Sequence, residues 1–505
     1  MSPNLITHTL NQLLLDVLHV VFYYIDIPDI LRVRRVSRYL NKATRYRNVW
    51  VDAYHTAEFP RPPGPFLSQS VHDLENILIT SFRVSQNLQR YCSGTAQRAV
   101  YIFKLREIRN TGINLHVNLI FGRFLLIASK EEIRCYDLNL DESDPNSGGS
   151  IIYRTTGRIM RSFHCVSAVD VEGRRFACAV LNEATQTTRR MSIYFLNVGK
   201  QSDITMDPVY RSPEYSTFDV QFVDLGPRVI VIQGRLGPNL DTDWRFIVLD
   251  VLTRTELLIP PLTHATWQAA EMPERRLVRE GTLFKGISTS THLVLARSFY
   301  TEAAGWSTFF QAFTLPTSHI RCSPPTSVPL SPSHHAVIPG INVRLFGSLL
   351  LHDAVLDAST QDVLIAIRIH TFESSRPRVS ISQHGILRLS TTHATRGQEV
   401  GTIAFQLLGP FSHSQMLFVH PSFNGVGRLF YLSSDRVIAA LEYGIYAGGG
   451  SNGDHEHGAK VVDYPSLLQF PTPRSLMDYD PYSGRICLRY AIGNNCTFEI
   501  FDFST

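Results

Sequence analysis

The chain has 505 residues, 44% hydrophobic and 18% charged, with a formal net charge of +4. That length suggests more than one domain, the composition excludes a disordered chain, and the mild charge excludes a broad nucleic-acid surface. The seven cysteines, at 92, 135, 165, 178, 322, 487 and 496, are scattered and form no Cys-x-x-Cys pair. They suggest reduced thiols rather than a zinc ribbon or a disulfide framework. Residues 1–12 are a short polar lead without Lys or Arg, and no small-residue cleavage site follows before Asp26. The expectation is therefore no signal peptide and a cytoplasmic or nuclear protein.

The first periodic stretch runs from Leu13 to Ile25, with only Asp16 and His19 clearly polar. On helical spacing, Leu14, Leu18, Val21, Phe22 and Ile25 make one apolar stripe, and Leu13, Val17, Val20 and Tyr24 make a second. It falls short of the roughly 20 apolar residues a membrane span needs, and no membrane is expected. A helix apolar on two sides needs two surfaces to bury against, one supplied by its neighbour and one from elsewhere. Asp26, Pro28 and Asp29 announce the next helix as cap, first-turn residue and dipole-matching charge. Ile30, Val33, Val36, Leu40 and Ala43 then read as one inward stripe, with Arg32, Arg34, Arg35, Arg38 and Lys42 on the remaining surface. A third short helix carries Val49, Trp50 and Ala53. About forty residues cannot close an independent core around this much apolar surface. A helical trio that docks onto another protein is the economical reading.

These residues resemble the F-box. Leu13, Val17, Leu18, Val21, Phe22, Ile25, Asp29, Ile30, Leu31, Val36, Ser37, Arg38 and Trp50 fall on the family pattern without a gap. Leu14 stands where proline is usual and Leu40 where tryptophan is usual. The resemblance implies binding to a Skp-type adaptor of a cullin-RING ubiquitin ligase. The contacts it implies are Leu13, Leu14, Val17, Leu18, Val21, Phe22, Ile25, Ile30, Leu31, Val36 and Trp50. The bland alternative is a core-forming helical pair of one large domain.

Pro60-Arg61-Pro62-Pro63-Gly64-Pro65 reads as a stiff extended spacer. After it, Ser70 to Arg90 reads as an amphipathic helix with Leu74, Ile77, Leu78, Phe82 and Leu88 inward. An F-box, a proline-rich bridge and one linking helix is a layout similar to that of fungal F-box proteins.

From about Ala99 the period changes to short apolar or alternating runs, such as 123–128, 229–232, 246–249 and 363–367, which predict strands. A loose repeat ends in Cys135-Tyr136-Asp137, Tyr194-Phe195-Leu196, Val248-Leu249-Asp250, Ala312-Phe313-Thr314 and Ile500-Phe501-Asp502. The landmarks Cys135, Tyr194, Val248 and Ala312 lie 59, 54 and 64 residues apart. Several strands per unit of this length favour a β-propeller over a pair of β-sandwiches. The segment from Gly122 to Asn139 resembles a degenerate WD-type repeat, with Tyr136-Asp137 where Trp-Asp would stand. Thr497 to Phe503 is expected to pair with Val100 to Leu105 and remove the sheet edges.

The expected fold is thus an α+β multidomain chain. It has an F-box-like helical domain over 1–58, a linker and amphipathic helix over 59–98, and a β-propeller-like domain of about seven blades over 99–505.

Chemistry-bearing motifs are sparse. His455 and His457 sit in a glycine tract from Gly448 to Gly458, which reads as a mobile loop rather than a metal site. Residues 141–149 read as a solvated acidic loop without calcium-ligand spacing. His334-His335 reads as an exposed turn, and neither a nucleophile elbow nor a phosphate-cradling loop occurs. The Arg-rich helix surrounds an apolar stripe that must be buried, which favours a solvated face or an acidic partner over nucleic acid. No catalytic residue, cofactor or metal is expected. The expected role is a non-catalytic substrate receptor of an SCF-type ligase, with adaptor on the helices and target on the β domain. The alternative is a propeller enzyme or scaffold whose helices serve only packing or oligomerisation.

Overall fold

The computed structural model describes residues 13–57, 59–62, 64–93, 100–109, 115–140, 149–169, 175–198, 204–212, 214, 218–226, 228–236, 244–250, 253, 255–259, 284–288, 292–301, 305–315, 328–330, 332–339, 349–356, 363–373, 376–391, 401–412, 426–432, 437–446, 458–469, 475–480, 482–492 and 495–504. Helices at the N-terminus are followed by an all-β region. The helices are α1 (Leu15–Tyr23), α2 (Ile27–Val33), α3 (Arg38–Ala43), α4 (Arg47–Thr56) and α5 (Val71–Cys92). No helix among the described residues is long and apolar enough to cross a membrane.

The single helix expected after Asp26 is two. Ser37 is extended at φ −156°, and its hydroxyl accepts the Leu40 N–H, so it ends one helix and caps the next. Val36 falls in the intervening turn and is exposed instead of lying on an inward stripe. Asp26 precedes α2 without a side-chain cap hydrogen bond. The proline spacer folds back instead of holding the module at a distance. Pro60 and Pro62 are buried, and the Tyr54 hydroxyl donates to the Pro62 carbonyl. The Arg61 guanidinium lies 5.2 Å over the Tyr54 ring, and Arg47 donates to the Phe66 carbonyl at 2.6 Å.

Helix α5 starts with a capping box, Ser70 Oγ accepting from Asp73 N–H and Asp73 Oδ2 accepting from Ser70 N–H at 2.9 Å. Its inner row is Leu74, Leu78, Ser81, Val84 and Leu88. Leu74 and Leu78 join the apolar cluster of α1 to α4, while the C-terminal half meets the β region. There Asn87 donates to the Phe503 carbonyl at 2.8 Å and the Tyr91 ring meets Phe503 edge-on at 5.4 Å.

The strands come in consecutive sheets. After β1 (Val100–Arg109), the first sheet holds β2 (His116–Ile120), β3 (Phe124–Ala128), β4 (Glu132–Asp137) and β5 (Ser150–Arg154). The second holds β6 (Ile159–Val169), β7 (Arg175–Ala184), β8 (Arg189–Val198) and β9 (Ile204–Arg211). The third holds β10 (Phe218–Leu225), β11 (Val229–Leu236), β12 (Trp244–Asp250) and β13 (Thr255–Leu258). Next come β14 (Phe284–Ser288), β15 (His292–Thr301) and β16 (Gly305–Thr314), and then β17 (Val328–Pro329), which pairs in parallel with β13. Strand β18 (Pro332–Pro339) completes a four-strand run with β14 to β16. It joins that run to β19 (Leu349–Leu356), β20 (Val363–Glu373), β21 (Arg376–Thr391) and β22 (Gly401–Ser412) in one eight-stranded sheet. His334 and His335 therefore lie in a strand, paired with Ala312 and Gln311, and not in a turn. A sheet of β23 (Val426–Leu432), β24 (Val437–Tyr446) and β25 (Gly458–Gln469) follows. The last sheet combines β26 (Ser475–Asp480), β27 (Arg485–Ile492) and β28 (Asn495–Asp502) with β1, in the order β1-β28-β27-β26. The pairing of Val100 with Asp502 and Leu105 with Phe498 realises the expected union of the two ends.

Each of the first three sheets shares one apolar layer with the sheet before it and another with the sheet after it, the last sheet standing before the first. In β3, Leu125 and Ile127 pack with Cys487, Phe498 and Ile500 of the last sheet. Phe124, Leu126 and Ala128 pack with Phe163, Cys165 and Leu196 of the second. In β7, Ala177, Ala179 and Leu181 face the first sheet, and Cys178 and Val180 face Ile230 and Ile232 of the third. Val229 and Val231 turn instead to Leu293, Leu295 and Phe313. A strand covered on both faces has no solvent side, so it reads as an unbroken apolar run. The repeat landmarks at Cys135, Tyr194, Val248, Ala312 and Ile500 all fall on the third strand of their sheets. Three of these strands end in an aspartate held by an arginine at the start of the second strand: Arg123 with Asp137 at 2.6 Å, Arg228 with Asp250 at 2.6 Å and Arg485 with Asp502 at 2.9 Å.

Candidate functional site

Helix α1 divides its apolar residues between two destinations. Leu18 and Phe22 are 1% and 3% exposed and sit in one cluster with Ile27, Ile30, Leu40, Val49, Trp50 and Tyr54. At 100° per residue, Val17, Val20 and Tyr24 trace another stripe on the side away from them, and Leu14, the residue before the helix, is exposed beside it. That surface is open: Leu14 is 74%, Val20 59% and Tyr24 79% exposed, with Val17 also exposed. Exposed Val36, Tyr39 and Tyr46 continue the apolar surface onto α3 and its flanking turns, where the Tyr39 hydroxyl donates to the Leu13 carbonyl at 2.8 Å.

The core beneath is fixed by polar contacts as well as by packing. Trp50 Nε1 donates to the Thr44 carbonyl at 2.9 Å. Arg34 reaches Glu75 of α5 at 2.6 and 3.1 Å and Thr44 Oγ1 at 3.2 Å, with its guanidinium 5.6 Å from the Trp50 ring centre. Arg34 is thus an internal brace between α2 and α5. Burial holds the Tyr54 hydroxyl above its ordinary range, against the lowering effect of Arg61.

The expected partner contacts separate accordingly. Leu18, Phe22, Ile30 and Trp50 lie in the chain's own core, where a partner cannot touch them without opening the bundle. Leu13, Val21, Ile25 and Leu31 are half-buried at its rim. Leu14, Val17 and Val36 face outward, together with Val20 and Tyr24, which the family pattern does not single out. The sequence signal for Val20 and Tyr24 was the second stripe itself.

Other chemistry-bearing groups are placed as structure. Among the described residues, no group of three or more His, Cys, Asp or Glu side chains is arranged to hold a metal ion. His455 and His457, and residues 141–148, lie outside the described residues. Burial pushes the Cys135 thiol up to about 12 and raises Cys165, Cys178 and Cys487 as well, so these thiols stay protonated. Glu183 of β7 is buried and accepts from the Tyr153 hydroxyl at 2.7 Å and from Arg190. The sequence reading did not single out His116 of β2 and His164 of β6, whose ring centres lie 6.3 Å apart. Burial lowers both, His164 to about 4 with a further push from His116, and the Nε2 atoms of both are buried.

No family model and no curated protein matches this chain. Solved structures give distant likenesses. Prolyl oligopeptidase B from Galerina marginata, bound to a 35mer hydrolysis and macrocyclization substrate, is 8% identical with a TM-score of 0.39. The likeness covers 85% of this chain and 52% of that one, so the chain spans about half the length of that enzyme. The β-propeller domain of Nup133 from Vanderwaltozyma polyspora is 8% identical, with a TM-score of 0.34, over 79% of this chain and 97% of that one. The β-propeller domain of the Trilobed protease from Pyrococcus furiosus is 10% identical, with a TM-score of 0.29, over 68% and 96%. One expectation is corrected on this point. The similar structures include hydrolases, so the absence of catalytic activity expected from the sequence is withdrawn. At these scores the likenesses assign no activity either.

Proposed function

We propose that α1 to α4 form an F-box-like module that binds a Skp-type adaptor. The chain then serves as a substrate-recognition subunit of a cullin-RING ubiquitin ligase, with the β region holding the target protein. The observation that carries this reading is the open stripe of Val17, Val20 and Tyr24, with exposed Leu14 beside it, on a bundle that has already closed its own core. A bundle with Leu18 and Trp50 sealed needs no further cover to fold, so a second contiguous apolar face is surface kept for a partner. The F-box resemblance supplies the identity of that partner.

The β region is read as a seven-bladed propeller. Support comes from consecutive sheets that share apolar layers in chain order and from β1 completing the last sheet. Counting the eight-stranded sheet as two blades, β14–β16 with β18 and β19–β22, gives seven. Helix α5, continuous from the helical core to Phe503, would set the distance between adaptor and target.

The test is co-purification of the full chain with a Skp-type adaptor, beside the variant Leu14→Asp/Val17→Asp. Association by the native chain and none by the variant, at equal thermal stability, supports the reading. Failure of the native chain to associate overturns it.

A further inference from the structure

The turn after α2 and the whole of α3 carry a run of cations at steps of three, four and three: Arg35, Arg38, Lys42 and Arg45. With Arg34 and Asn41 they line an open recess of about 720 Å³. Arg34 is already held by Glu75, and the Asn41 amide donates to the Arg34 carbonyl at 3.3 Å. The side chains of Arg35, Arg38, Lys42 and Arg45 have no ion-pair or hydrogen-bond partner among the described residues. Elsewhere Arg32 pairs with Asp29, Arg134 with Glu132 and Arg158 with Glu214. Like charges three and four residues apart repel, so the bare run works against the short helix that bears it.

The run adjoins the open apolar surface. Val36 lies between Arg35 and Arg38 in sequence and is 68% exposed, and Tyr39 ties the start of α3 to Leu13. We propose that this recess seats a carboxylate-rich segment of the partner protein that covers the α1 stripe. The inference rests on the docking reading above and adds the chemistry of the partner: acidic side chains next to apolar ones. The cations recur at helical spacing over eleven residues, which suits an extended acidic peptide better than a single phosphate. Val36 is aliphatic and stacks no base. The Tyr39 hydroxyl is bonded to the Leu13 carbonyl and the Tyr46 ring meets His19 edge-on at 5.6 Å, so both rings are tied to the α1 side of the surface. Charges placed beside an apolar contact raise the encounter rate and fix the register of the partner.

The test uses the full chain and Arg38→Glu/Lys42→Glu, with three probes: a labelled twelve-residue polyglutamate, a twelve-nucleotide single-stranded RNA and a Skp-type adaptor. Polyglutamate is expected to bind the native chain at about 50 mM salt and to be lost at about 300 mM, where surface charges are screened. In the variant, polyglutamate binding falls at least about tenfold, and the adaptor binds about tenfold more weakly at low salt with a flatter salt dependence. The neutral variant Arg38→Gln/Lys42→Gln falls between. Circular dichroism should show the helices intact, since removing repulsion favours α3. Unchanged polyglutamate binding in the charge-reversed chain overturns the proposal. So does RNA binding more tightly than polyglutamate, which would make the recess a nucleic-acid surface. If the native chain ignores the adaptor but obeys the polyglutamate arm, the docking reading fails and the acidic-segment site stands.

Discussion

The two regions of this molecule dispose of apolar surface in opposite ways. In the β region both faces of the first three sheets are taken by their neighbours, and the large hydrophobics exposed among its described residues, Ile151, Ile159, Val198 and Leu258, are scattered singly. In the helical region, Leu14, Val17, Val20, Tyr23 and Tyr24 are exposed within eleven residues of sequence, with Val36 and Tyr39 beside them. Scattered apolar residues are normal for a surface; a contiguous face is not. The contrast teaches that burial by periodicity and burial in this chain are separate matters. A stripe predicts that something covers it, not which body does.

That contrast can be broken most forcefully from inside the bundle. Trp50→Ala removes the largest side chain of the helical core and the hydrogen bond to Thr44, so denaturant unfolding should report a loss of about 3–5 kcal/mol. Leu18→Asp should unfold the helices outright, seen as lost helical circular dichroism. In the β region, Asp250→Ala strands Arg228, whose side chain is 9% exposed, and should cost about 3–5 kcal/mol in the same assay. At the junction, Gly484 has φ +71° and a Cβ there would meet Val84 Cγ1 at 2.6 Å. Gly484→Ala should therefore cost about 1–3 kcal/mol by the same measurement, and limited proteolysis should find α5 released from the last sheet before the sheets themselves open.

A milder effect is expected from the histidine pair. The folded chain holds His164 at about 4 against an ordinary 6.5, so the unfolded chain binds more protons as the pH falls. The contribution of neutral His164 is complete above pH 6.5 and is lost as the pH falls from 6.5 towards 4. Melting temperature should drop on acidification through that window, and His164→Gln should flatten the drop. An unchanged acid profile in that variant would place the effect elsewhere. The smallest effect belongs to the open stripe. Leu14→Asp/Val17→Asp should change stability by no more than about 0.5 kcal/mol.

Much of the architecture is legible in the sequence because it rests on local signals. The change of period near Ala99, the helical spacing from Ser70 to Arg90 and the apolar runs at 123–128 and 229–232 each reflect a physical constraint that acts within a few residues. The repeat could be read in part because the third strand of three sheets ends alike, Asp137, Asp250 and Asp502 each receiving an arginine from the start of the neighbouring strand. The site was legible only in outline. Both stripes of α1 are visible in sequence, but assigning Leu18 and Phe22 inward and Val20 and Tyr24 outward depends on where α3 and α4 pack, which is tertiary information. Val36 and Arg34 were misplaced for a plainer reason. Ser37, preceding a helical stretch, is a cap signal, and reading through it put both residues on one continuous helix.

The central claim is that the α1 stripe, not the β surface, is where the adaptor sits. Amide hydrogen exchange on the full chain with and without a Skp-type adaptor tests it most directly. The account predicts slowed exchange across 14–24 and 36–46, with β2 to β13 unchanged. Protection confined to the β strands, with α1 exchanging as in the free chain, would contradict it.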